Sequence, residues 1–231
     1  GWNQLIEQVK KHEMVLIGED YFFNEIPLLV SQIAKAEKFD TFFCAIDPYS
    51  ADVISDKIRS FSTEKLNKYT QNISSTFSFF ALAPEFDLLK QLADDGTKIF
   101  GTDQIVLIAD RLLASELIST TKSQEAKGIY ADIIQQSAEH FERFKKQQGS
   151  PYFFTDEFMN NLNKLEGLPL SDFEKSIVSD LKLSRKIYTT QDHYLRIQLM
   201  KNNVLKHYEE LVTGKSLFKY GGIHSGKGES L

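Results

Sequence analysis

Apolar positions along the chain follow two periods. Met14-Val15-Leu16-Ile17 is an unbroken apolar run stopped at Gly18, the pattern of a buried strand. Residues 40–46 repeat that pattern and end at Asp47-Pro48. Lys98-Ile99-Phe100 is a third short run, closed by Gly101-Thr102-Asp103, and Leu217-Phe218-Lys219-Tyr220 is a fourth, leading into Gly221-Gly222-Ile223-His224. Between the first three the spacing is helical: over 3–12, over 24–37 with Asn24 as the cap and Pro27 in the first turn, over 50–70, and over 85–94 up to Asp95-Gly96. Residues 76–83 read as a strand or a buried loop. From 104 onward the pattern turns wholly helical, over 104–118, 122–147, 155–165, 171–189 and 191–212. Its breaks are Gly149-Ser150-Pro151 and Gly167-Leu168-Pro169.

Strands alternating with helices imply an α/β fold: a small, mostly parallel sheet with helical crossovers and a large helical insertion before the last strand. The expected organisation is one α/β domain over 1–231 with 104–212 as a helical lobe within it. The sequence opens on Gly1 rather than Met and stops just past the fourth strand, which leads us to expect further residues on both sides. A removed leader of the export type would fit the first of these.

Composition narrows the partners. A net charge of -5 argues against a nucleic-acid binder, which carries a basic excess. No apolar run approaches the roughly 20 residues of a membrane span, so no transmembrane segment is expected in this chain. Cys44 is the single cysteine, which excludes an internal disulfide, and its apolar neighbours mark it as a buried, inert thiol. The 18 Phe and 9 Tyr serve a core first, and an aromatic pocket second. The expected partner is a small-molecule ligand or substrate.

In open α/β sheets ligands bind outside the carboxyl ends of the strands. Those ends carry Glu19 and Tyr21, Asp47, Asp103 and His224. Carboxylates with an imidazole suit a divalent metal, or general-base activation of water. Capping of the next helix is the plainer reading of Asp47 and Asp103. Glu19 is a poor cap that follows a glycine, and His224 sits in a glycine-rich loop; both read as functional. Arg196, Met200, Asn203 and His207 share one face of the last long helix, where Arg196 would reach solvent or hold a carboxylate. His12, His140, His193 and His207 fall in helical patterns and read as surface residues. There is no G-x-S-x-G elbow, no H-E-x-x-H and no G-x-G-x-x-G after the first strand. Gly221 to Gly228 imitates a phosphate-binding loop, but Gly228 stands where the magnesium-holding hydroxyl belongs and no long helix follows.

Three segments resemble the erythromycin esterase / ChaN-like superfamily, to which Tiki-type metalloproteases are distantly related. Ile17-Gly18-Glu19-Asp20-Tyr21-Phe22 with Glu25-Ile26-Pro27 is similar to its strand-end "GE-x-H" segment. Phe100-Gly101-Thr102-Asp103-Gln104 is similar to "G-x-D-Q". Arg196 to Asn203, followed by Lys219-Tyr220-Gly221-Gly222-Ile223-His224, is similar to an "R-x-x-x-M" helix and a closing "G-x-x-H". The resemblance implies either a hydrolase that opens an ester with His-activated water or a haem-binding protein of the cell envelope or periplasm. In the first, Glu19 and His224 are the polar centre, with Arg196 and Asp103 in support. In the second, Tyr21 or His224 would be an axial ligand. The chain departs from the family where members carry a His after the Glu; here Tyr21 and Phe22 stand instead. It departs again at Ala45-Ile46-Asp47, where members often place a Glu. The expected function is hydrolysis of an ester or amide by His224-activated water with Glu19. The alternatives are a haem or hydrophobic-ligand carrier and a catalytically degenerate member; haem or a divalent metal is the cofactor to test.

Overall fold

The computed structural model describes residues 1–20, 22–72 and 76–222. Four parallel strands, β1 (Met14–Glu19), β2 (Thr41–Cys44), β3 (Lys98–Gly101) and β4 (Ser216–Gly221), form one sheet in the order β1-β4-β2-β3. The fold is thus α/β with an all-parallel sheet. The last strand in sequence inserts between the first two, which makes β1 an edge.

That position corrects the expectation for the first apolar run. Among the described residues only one face of β1 is covered: Met14 is 62 % and Leu16 48 % exposed, whereas Glu19 at the strand end is buried. β2, by contrast, is buried at all four positions, as a central strand flanked by β4 and β3 must be.

Helices α1 (Trp2–Lys11), α2 (Glu25–Ala36), α3 (Pro48–Ser60), α4 (Thr63–Asn72) and α5 (Ala83–Asp94) precede β3. α3 and α5 pack on β3, and α2 packs on α5. The helix expected over 50–70 is two helices, because Phe61 turns extended and Ser62 caps the next one, accepting from the Lys65 N–H at 3.3 Å. The ambiguous stretch at 76–83 resolves into a short 3-10 turn, Ser78–Ala81, that leads into α5. Asn24 occupies the cap position of α2, but its side chain makes no capping bond.

After β3 come α6 (Asp110–Thr120), α7 (Gln124–Lys145), α8 (Asp156–Glu166), α9 (Asp172–Thr190), α10 (His193–Leu205) and α11 (Tyr208–Thr213). Two helices are shorter than their patterns: 104–109 stays irregular ahead of α6, and 206–207 is a turn that splits the last stretch into α10 and α11. Ser123, Thr155 and Ser171 cap α7, α8 and α9, each accepting from a backbone N–H three residues on.

The chain divides into two compact units. One holds the sheet with Gly1–Asn72, Phe79–Asp103 and the chain from Ile197 on; the other is built on Gln104–Arg196, with the residues just before Phe79. Most of α10 and all of α11 therefore belong with the sheet. There Met200 joins a core of Phe43, Ala45 and Tyr220, with Phe100, Val204, Leu211 and Phe218 against it. Glu85 of α5 bonds to Lys219, whose neighbours in the β4 alternation, Phe218 and Tyr220, pack in the core that receives α10. The two faces of β4 are thus covered by different helices, α5 on one and α10 on the other.

The helical unit has its own core, including Phe153, Phe158, Leu162 and Ile177. Several of its buried polar groups pair within the unit: Ser137 Oγ donates to Asp110 Oδ1 at 2.8 Å, Tyr130 to Glu174 at 3.2 Å, and Asn161 to Asp132 at 2.7 Å. Among the described residues no helix is long and apolar enough to cross a membrane.

Candidate functional site

The carboxyl ends of β1 and β4 carry a buried charge cluster. Lys219 faces the same side of the sheet as its register partners Ile17 in β1 and Cys44 in β2. Its side chain has no exposed surface. Its ammonium donates to Glu19 Oε2 at 2.5 Å and to Glu85 Oε1 at 2.8 Å, and lies 5.7 Å from the centre of the Phe80 ring. Glu19 ends β1, and Glu85 stands in the first turn of α5 behind Pro84, where a carboxylate also meets the positive end of the helix. Each carboxylate commits one oxygen to Lys219. Among the described residues, Glu19 Oε1 and Glu85 Oε2 are buried without a hydrogen-bond partner. Burial pushes Glu85 above its ordinary range, and the nearby Lys219 charge opposes that rise.

The ends of β2 and β3 are closed rather than open. Past the last strand residues, the Thr102 N–H bonds Cys44 O at 3.2 Å and the Asp103 N–H bonds Ile46 O at 2.9 Å. Gly101 lies so close to this backbone that a Cβ there would stand 2.3 Å from Asp47 O. Asp47 is buried and caps α3, its Oδ1 accepting from the Ser50 N–H at 2.8 Å. Burial raises it to about 6, against the Ser50 hydrogen bonds, and the neighbouring Asp103 carboxylate pushes the same way. Asp103 is buried close by.

The other anticipated residues fall in different places. Asn203 is buried and donates to Thr102 O at 3.0 Å, so it pins α10 to the end of β3. Thr102 Oγ1 also meets the Tyr220 hydroxyl at 2.8 Å. Met200 packs in the core beside that pair. Arg196 is half-buried in α10 and falls in the helical unit. His207 is half-buried and stacks on Phe100, ring centres 3.7 Å apart, rather than standing in solvent. Cys44 is fully buried and burial drives its thiol strongly upward, in keeping with an inert role. Tyr21 and His224 lie outside the described residues.

Glu19 is therefore joined by two residues that pattern reading passed over, Lys219 and Glu85. One signal pointed to Lys219: it is a charged residue inside the apolar run of β4, at a core-facing position. Glu85 carries no such mark, since an acidic residue in a first helical turn is ordinary.

Comparison with protein-family models, with known proteins and with solved structures finds no match to this chain.

A divalent cation does not suit Glu19. The Lys219 ammonium already holds the cation position between Glu19 and Glu85, and a metal ion added there would face it at contact distance. Among the described residues no group of three or more His, Cys, Asp or Glu is placed to hold a metal. An open groove of about 420 Å³ lies at the opposite, amino ends of β2 and β3, lined by Lys35, Phe39, Leu92, Asp95 and Thr97 among others. It brings no convergent polar constellation with it.

Proposed function

We propose that the chain is a hydrolase of an ester or amide, in which His224 activates a water and Glu19 orients it, as the resemblance to the erythromycin esterase / ChaN-like superfamily implies. The observation that carries this reading is the state of Glu19. It is a buried carboxylate at the carboxyl end of a parallel strand, held by an ammonium through one oxygen and unpartnered at the other. The strand that supplies the ammonium also supplies the loop. Gly222 lies against Glu19, its Cβ direction 3.6 Å from Glu19 O, and His224 follows two residues later.

His224 would take a proton from the water, and Glu19 Oε1 would accept the water's other hydrogen or the imidazolium that forms. The test is a panel of chromogenic esters, lactones and amides. Wild type should turn over at least one of them, and His224→Ala should lose that activity by about 10²–10⁴-fold with an unchanged circular dichroism spectrum. No turnover by wild type, or full activity in His224→Ala, defeats the proposal.

A second reading has its own observation. Phe22 and Phe23, just after Tyr21, are 79 % and 59 % exposed, with Phe22 in the left-handed region at φ 72°. Exposed rings beside a Tyr suit a flat hydrophobic ligand such as haem, with Tyr21 or His224 as axial ligand. Titration with haemin decides it: a Soret shift abolished by Tyr21→Phe or His224→Ala supports a carrier, and an unshifted spectrum removes it.

A further inference from the structure

Resting on that reading of Glu19, we propose that Lys219 and Glu85 are the positioning residues of the site: Lys219 clamps one oxygen of Glu19 and leaves the other to the reacting water, and Glu85 anchors Lys219 from α5. The register makes the charge conspicuous. Lys219 lies in an interior strand between Ile17 and Cys44, a setting that a Met or Leu would fill with less desolvation. Two carboxylates converge on its one ammonium, so the cluster carries more acceptor than its cation satisfies. Each carboxylate keeps a buried oxygen without a partner. A carboxylate fixed at one oxygen and free at the other is what the orientation of a small nucleophile requires.

Positioning and stapling make different predictions because the three groups are electrostatically coupled. The titratable groups that face Glu85 are Lys219 of β4, Glu19 of β1 and the Cys44 thiol of β2. Glu19 is a like charge to Glu85, and Lys219 an opposite one.

The experiment has two arms on the full chain. In the first, the Glu85 side-chain carboxyl is titrated by carbon NMR in wild type and Glu19→Gln. Removal of the like charge should lower the Glu85 midpoint by about half a pH unit or more; an unchanged midpoint overturns the clamp. In the second, kcat and KM are measured against pH on the ester that wild type hydrolyses best. Glu85→Gln keeps the shape of the side chain and should lower kcat about tenfold, which is about 1.4 kcal/mol of barrier. KM should stay put and the acid limb of the profile should move to lower pH. Lys219→Met should lose at least a hundredfold in kcat; where it fails to fold, Glu85→Gln alone decides. A kcat loss that follows only the folded fraction, with a pH profile superposable on wild type, reduces the cluster to a staple and overturns the proposal. Absence of any turnover in wild type overturns the hydrolytic reading instead, and the NMR arm then decides whether the clamp exists.

Discussion

Replacing Lys219 by Met removes the one cation that two buried carboxylates share. Met fills most of the lysine stem's volume, so the packing loss is small and electrostatics dominate. Breaking a buried ion pair by deleting one partner costs about 3–5 kcal/mol, because the survivor stays buried and uncompensated. Here two survivors remain, Glu19 and Glu85, both with little exposed side-chain surface. For a chain of 231 residues, each kcal/mol shifts Tm by about 2–4 °C, so Lys219→Met should melt roughly 6–20 °C lower. The assay is urea unfolding followed by circular dichroism, with an unchanged slope confirming that the folded states are comparable.

The deficit should also depend on pH. Glu85 is already raised above its ordinary 4.5, and losing Lys219 raises it further. A carboxyl whose folded pKa exceeds its unfolded one contributes stability that is fully present below the unfolded value. That contribution is lost as pH rises through the folded value. The Lys219→Met deficit should therefore be smallest near pH 4 and grow toward pH 8. The triple variant with Glu19→Gln and Glu85→Gln leaves no charge to bury and should return to within about 2 kcal/mol of wild type. A Lys219→Met protein within about 1 kcal/mol of wild type at pH 7.5, or a deficit flat in pH, would refute this account of the cluster.

Gly101→Ala should be among the most damaging small substitutions. Its Cβ would meet backbone at 2.3 Å, so a loss of about 2–3 kcal/mol or failure to fold is expected in the same urea assay. Tyr220→Phe removes the hydroxyl that meets Thr102 at 2.8 Å and should cost about 0.5–1.5 kcal/mol, since Thr102 keeps its bond to Cys44 O. Asp110 sits at about 6 through burial, against an ordinary 3.8, so its contribution is present below 3.8 and lost as pH rises through 6. Asp110→Asn should then gain on the order of 1–2 kcal/mol at pH 7.5 and flatten part of the stability slope between pH 4 and 6. The remaining slope should track Asp47, raised to the same value, together with the raised Glu85.

Much of the fold was legible in local pattern. Apolar runs ending at Gly18, at Asp47-Pro48 and at Gly101 mark strands because a short apolar run closed by a residue that lets the chain turn away suits a parallel strand, although β1 turns out to bury one face alone. The helices expected over 122–147, 155–165 and 171–189 form at those places, and the structure adds that Ser123, Thr155 and Ser171 cap them by accepting from an N-terminal N–H. The capping role weighed for Asp47 belongs to the same class of local fact. Glu19 was legible as a polar residue at a strand end, but its partners were not.

Those partners were decided by long-range order. Lys219 reaches Glu19 across 200 residues and Glu85 across 134, and no local period encodes which strands become neighbours. Insertion of β4 between β1 and β2 set three things at once: it made β1 an edge with Met14 and Leu16 exposed, surrounded Lys219 on both sides, and brought two carboxylates to its ammonium. Alternation along a strand assigns each side chain to a face, but what lies across that face depends on strand order and on which helix covers it. The sequence alone determined the four strands and most of the helices, the mostly parallel α/β class and Glu19 as a candidate. The tertiary structure decided that Glu19 is held by a buried ammonium and that Met200 and Asn203 bind α10 to the sheet, because the cost of burying charged and polar groups is met only by partners that the sheet order brings together.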